Sequence, residues 1–187
     1  LITNSEIRAV TGSGVALYDQ SAPLLTNNTF AQLDWPIRVG AWAALPQNVS
    51  GNTYESVTHF GIQHNASSVP EAQQMVWQAF PDGLPYVLTT WTRVGTGAKL
   101  TIEPGVIIKA GLRQGLSVDG ELQAAGSVTD PIIFTALTDD VGGDTNGDGT
   151  ETAPAEGWWN SIQFNDGSSG VLDHCRVLYP GYFEQAA

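Results

Sequence analysis

Asp144, Asn146 and Asp148 stand at alternate positions of the stretch "DTNGDG". Side-chain oxygens spaced this way point to one side of a tight turn, which suits a hard cation that takes six to eight oxygen ligands. Gly149 falls at the sixth position, where such a loop bends sharply, and the carbonyl of Thr150 falls at the seventh. That much matches the calcium loop of a helix–loop–helix site. The twelfth position should be a bidentate Glu, but it is Ala155. Another acid must then complete the shell: Asp139 or Asp140 on one side, Glu151 or Glu156 on the other. Calcium is the expected cofactor, because magnesium prefers to keep its waters. Six acids crowd residues 139–156 and repel one another unless a cation neutralises them. The competing reading is a solvated acidic turn that binds nothing specific.

No helices flank this loop. "PIIFTAL" before it is apolar and β-branched, as in a strand, and the residues after it have no helical period. The elements that must position it are visible in an internal repeat. "GVALYDQSAP", "PIRVGAWAALP" and "GIQHNASSVP" end at Pro23, Pro46 and Pro70, which gives gaps of 23 and 24 residues. Asn28-Thr29-Phe30 and Asn52-Thr53-Tyr54 take equivalent places, "LITNSEI" puts Ser5 in the column of Asn28, and "VLDHCRV" puts Cys175 there. About this much chain makes one coil of a β-solenoid, each coil pairing with the next. A small polar residue recurring at one corner forms an inward ladder that bonds the backbone of the neighbouring coil. A β-sandwich would show regular turns but no repeated motif.

The expected fold is therefore all-β, one parallel β-solenoid domain over residues 1–187. Residues 1–70 form regular coils of 23–24 residues, residues 71–187 form less regular ones, and the acidic loop 138–157 is an excursion. In the second half, "KLTIEPGVIIKAG" and "GLSVDGELQAAG" alternate apolar and polar residues between glycine corners. "SSVPEAQQMVWQAF", residues 67–80, has the Ser, Pro and Glu of a helix start and reads as one short helix or a long loop.

"GLPYVL", "AKLTIEPGVIIKAG", "GLSVDGELQAAGSVTDPIIFTAL", "DDVGGDTNGDG", "GWWNSIQF" and "VLDHCRVLYPG", in that order, resemble a family of secreted bacterial parallel β-helix repeat proteins in the pectate-lyase-like superfamily. The resemblance implies a right-handed solenoid. It also favours Asp140, since an acidic pair accompanies such a loop in that family. The expected metal ligands are then Asp140, Asp144, Asn146, Asp148, Thr150 and Glu156. The superfamily contains lyases, hydrolases, adhesins and structural proteins, so the fold alone does not name a function.

Composition narrows the classes. The chain has 7 Lys plus Arg against 19 Asp plus Glu, a net charge of -12, which argues against nucleic acid and anionic membranes as partners. No apolar run approaches a membrane span. Cys175 is the one cysteine, so no internal disulfide can form. The chain opens at Leu1 with no signal peptide and reads as a mature segment or a fragment. The basic residues look scattered, and His59, His64 and His174 lack a matching catalytic motif, so no enzyme is expected. Trp35, Trp42, Trp77, Trp91, Trp158 and Trp159 would suit a polysaccharide partner if they were exposed in a row. Neither end carries a recognisable cap. Open solenoid ends invite head-to-tail self-association, so the expected role is structural: a calcium-binding segment of an extracellular or cell-surface assembly or filament. The alternative is a carbohydrate-binding or adhesive module.

Overall fold

Short β-branched and apolar runs, each broken by Gly, Asn or Pro, form nineteen strands and no helix among the described residues. The computed structural model describes residues 1–40, 44–65, 68–69 and 71–181. In chain order the strands are β1 (Ile2–Thr3), β2 (Glu6–Leu17), β3 (Leu24–Thr26), β4 (Thr29–Val39), β5 (Asn48–Ser50), β6 (Thr53–Val57) and β7 (Ile62–His64). There follow β8 (Ser68–Val69), β9 (Gln74–Trp77), β10 (Tyr86–Leu88), β11 (Thr92–Val94), β12 (Lys99–Ile102) and β13 (Ile107–Ala110). The last are β14 (Leu116–Val118), β15 (Glu121–Ala125), β16 (Ile132–Ala136), β17 (Ile162–Phe164), β18 (Ser169–Asp173) and β19 (Cys175–Val177).

Every pairing is parallel, and the strands stack as a β-solenoid of about five turns. Four sheets result: β1-β3-β5; β19-β16-β13-β10-β7-β4-β2, with β6 also on β4; β17-β14-β11-β8; and β18-β15-β12-β9. The repeat length sets the register. Ile2 pairs with Leu25 and Leu25 with Val49, offsets of 23 and 24 residues. Inward side chains then stack in columns, such as Val69–Val94–Val118 and Ile62–Tyr86–Ile108–Phe134, all buried. A slip of one residue would turn a whole column outward, so the alternation fixes the register.

The Asn residues at one corner bond from coil to coil. Asn28 Oδ1 accepts from the Ser5 amide at 3.1 Å, and Asn52 Oδ1 accepts from the Asn28 amide at 2.9 Å. Each side-chain amide donates back to a strand carbonyl of the preceding coil, Asn28 to Ile2 and Asn52 to Leu25. The ladder ends on Asp82, whose carboxylate accepts from Asn52 Nδ2 at 2.7 Å and from the Tyr54 hydroxyl at 2.8 Å.

Cys175 is not part of this ladder. It pairs with Ile132 in the eight-stranded sheet, and its thiol donates to the Ala124 and Asp173 carbonyls. The shared template "VLDHCRV" reproduces a corner but not the column. Residues 67–80 also depart from expectation, since β8 and β9 replace the helix or long loop. Val69 and Trp77 enter the buried columns on Val94 and Ile102, and that packing overrides the helix-start signals. Ser67 and Pro70 of that stretch lie outside the described residues, as does Trp42.

Candidate functional site

The acidic loop leaves the solenoid after β16 and returns at β17. It does not hang free. It runs back as a strap across the outer face of the eight-stranded sheet, over the outward column Val87–Lys109–Thr135. These three residues are buried although they point away from the core. Lys109 Nζ donates to the Gly143 carbonyl at 2.6 Å and to Thr145 Oγ1 at 2.8 Å. Thr145 is itself fully buried, and its hydroxyl donates to the Phe60 carbonyl at 3.0 Å. The Phe60 amide donates to the Asp144 carbonyl, and His59 Nδ1 donates to the Thr145 carbonyl at 2.8 Å. The His59 ring stacks on Trp35 with centroids 4.5 Å apart. Close approach requires glycine at Gly147: its φ is +78°, and a Cβ there would lie 2.5 Å from the Thr58 carbonyl oxygen.

Burial pushes the Lys109 ammonium down to about 8, against the opposing pull of Asp139, Asp140 and Asp144. The same lysine thus supplies part of the positive charge that the acidic segment needs. At the base of the strap, Asp139 accepts from the Thr135 hydroxyl at 2.6 Å and from the Val141 amide at 3.1 Å.

The tip holds the D-x-N-x-D-G turn. Asp144 accepts from the amides of Gly147 at 2.7 Å and Gly149 at 2.8 Å, which closes the turn on its own carboxylate. Asp148 accepts from the Thr152 hydroxyl, which in turn accepts from Asn146 Nδ2 at 2.8 Å. Two oxygens remain: Asn146 Oδ1 and Asp148 Oδ1 are both shielded from solvent and have no hydrogen-bond partner. Such atoms are costly unless something electropositive meets them. All the donors gathered here are hard oxygens, with no thiol or imidazole among the expected ligands, and that chemistry fits calcium.

Asp140, Thr150 and Glu156 are exposed. Among the described residues no three His, Cys, Asp or Glu side chains come together as a metal-holding group. Asp144, Asn146 and Asp148 build the turn at the tip through their hydrogen bonds.

Sequence reasoning missed the seat. Lys109 looked like one scattered cation and His59 lacked a matching catalytic motif, yet both fasten the strap. The one available signal was Lys109 in the apolar run "GVIIKAG", where a charge needs a partner. None of the five described Trp residues is exposed, and Trp77 and Trp159 are buried in the core.

Fold and site together define a parallel β-solenoid carrying an acidic strap folded across one sheet. No family model, curated protein or solved structure matches the chain.

Proposed function

We propose that this chain is an extracellular, non-enzymatic structural protein of the pectate-lyase-like branch it resembles: a calcium-binding β-solenoid serving as a subunit or segment of a cell-surface assembly or head-to-tail filament. The observation that carries this reading is the coil formed by β17, β18 and β19. Phe164 continues the buried column of Val94 and Val118, Leu172 that of Ile102 and Ala124, and Val177 that of Ile108 and Phe134. All three are exposed, by 42%, 43% and 40%. Covering each contributes about 1 kcal/mol, and a stacked coil also satisfies a strand edge.

Calcium enters through the tip of the strap. Asp144, Asn146 and Asp148 would hold it, with the unpartnered oxygens of Asn146 and Asp148 as the strongest support, and Asp140, Thr150 or Glu156 as sources of further oxygen. When bound, the ion supplies positive charge that relieves repulsion among the acids. The residues of the chain do the remaining work. Lys109, Thr145 and His59 hold the strap on the sheet, and Asp144 shapes the turn.

The test is negative-stain electron microscopy of the purified chain with calcium and then with chelator, alongside thermal melts. Long uniform fibres support assembly, and isolated short rods in both conditions overturn it. A calcium-dependent rise in melting temperature that disappears in Asp148→Ala supports the metal site; equal melts with calcium and chelator overturn that part alone.

A further inference from the structure

Among the described residues, the stacking of the solenoid is interrupted between the coil of β5 and the coil of β8 and β9. Asn52 and Asp82 join the corners that follow β5 and β9, yet β5 and β9 do not pair: each is the edge of its own sheet. Between residues 44–47, which lead into β5, and β9 lies a groove of about 410 Å³, within the range of about 300–1,000 Å³ usual for binding clefts. Five of the chain's eleven glutamines line it, Gln20, Gln47, Gln73, Gln74 and Gln78, together with Met75. Gln78 reaches across, donating from Nε2 to the Pro46 carbonyl at 3.0 Å and the Gln47 carbonyl at 3.3 Å. Among the described residues no ionisable side chain lines this groove, although the chain carries a net charge of -12.

The backbone of β9 decides what fits. The Lys99 amide donates to the Gln73 carbonyl and the Glu103 amide to the Trp77 carbonyl. In a parallel ladder of that register, Met75 and Trp77 direct both backbone groups to β12, so Gln74 and Val76 direct theirs toward the groove. No described strand pairs with that edge. Protein edges usually carry a charge, a proline or a bulge that repels pairing. Here the outward residues are Gln74 and Val76, and Val76 is 48% exposed.

We propose that the β9 edge is a docking site for an extended, uncharged peptide segment of a partner protein, which adds as a strand of about four residues to the sheet β18-β15-β12-β9. The neutral lining selects against charged segments, since a buried charge would find no counter-charge there.

The probe is a phage-displayed library of uncharged octapeptides, panned against the full chain and against Val76→Lys, which places a charge on an outward, exposed position and so leaves the fold intact. Peptides enriched at least tenfold on the unmodified chain, without proline in the paired residues, are expected. In the complex, amide exchange should slow at least tenfold at Gln74 and Val76 and stay unchanged at Met75 and Trp77. Equal enrichment on Val76→Lys, tolerance of proline, or unchanged exchange at Gln74 and Val76 overturns the proposal. So does displacement of the peptide by maltohexaose, which would make the groove a sugar site, or dimerisation through this edge in light scattering.

Discussion

Burial pushes both His64 and Lys109 toward their neutral forms. His64 is fully buried in the column between Val39 and Leu88, its ring meets Trp77 edge-on at 5.0 Å, and neither ring nitrogen has a partner. Loss of hydration pulls it down to about 4 from an ordinary value of 6.5. The unfolded chain therefore binds this proton first as pH falls, and stability is lost between pH 6.5 and 4, by about 3 kcal/mol at the acid end. His64→Leu should flatten that part of the acid slope, read as the difference between urea midpoints of the two proteins from pH 7 to 4. Lys109 behaves differently, because it has partners. Lys109→Met leaves the Gly143 carbonyl without its donor and the acids at the strap's base without their nearest cation. Expected is a loss of about 2–3 kcal/mol at pH 7 in urea denaturation, with faster proteolysis between residues 143 and 149. The lysine's lowered value also makes the folded state gain stability as pH rises from 8 toward 10.5, where the unfolded chain alone still holds the proton. The methionine variant lacks that rise.

At the scale of elements, the corner ladder and the strap hold coils together by polar bonds, while the columns do so by packing. Asn52 makes four such contacts: to the Asn28 amide, to the Asn28 side chain, to the Leu25 carbonyl and to Asp82. Asn52→Ala strips the Asn28 amide and the Leu25 carbonyl of their partners and should cost about 2–4 kcal/mol. Ser5→Ala loses only an exposed local bond to the Thr3 carbonyl and should cost under about 0.5 kcal/mol. Urea midpoints of the pair distinguish a ladder from a surface preference for polar corners. The asparagine spacing was legible because consecutive coils of nearly equal length repeat their corner residues. Asp82 was not, since it follows Asn52 by 30 residues rather than 23 or 24 and changes residue type. β9 was hidden for a related reason: "EAQQMVW" has helix-forming composition, and burial of Trp77 against Tyr86 and His64 decides its state.

At the scale of the whole molecule, the proposed assembly rests on the coil of β17, β18 and β19, where Phe164, Leu172 and Val177 are exposed. Leu172→Asp puts a charge on the exposed end of a core column, where Leu172 stacks on the buried Ala124. It should abolish fibres in electron microscopy and lower the stability of the isolated chain by about 1 kcal/mol in urea denaturation. Fibres that persist in this variant would place the growing contact elsewhere. The strap adds a second coupling, because it ties residues after β16 to the turn before β7. Its hydrogen bonds reach the turn before β7, Lys109 on β13 and Thr135 on β16.

Read alone, the chain determines its architecture and the chemistry at the strap's tip. The gaps of 23 and 24 residues equal the strand offsets, since each coil stacks on the next and equal path length keeps the columns aligned. The D-x-N-x-D-G spacing is likewise local, so its turn forms from neighbours in sequence. Only the tertiary structure decides the seat of that loop, because Lys109 lies 34 residues from Gly143 and His59 lies 86 from Thr145. It alone removes Cys175 from the ladder and leaves β9 as an unguarded edge. Solenoid winding brings such residues together through the length of each turn, and where turns differ in length no period in the sequence records the meeting.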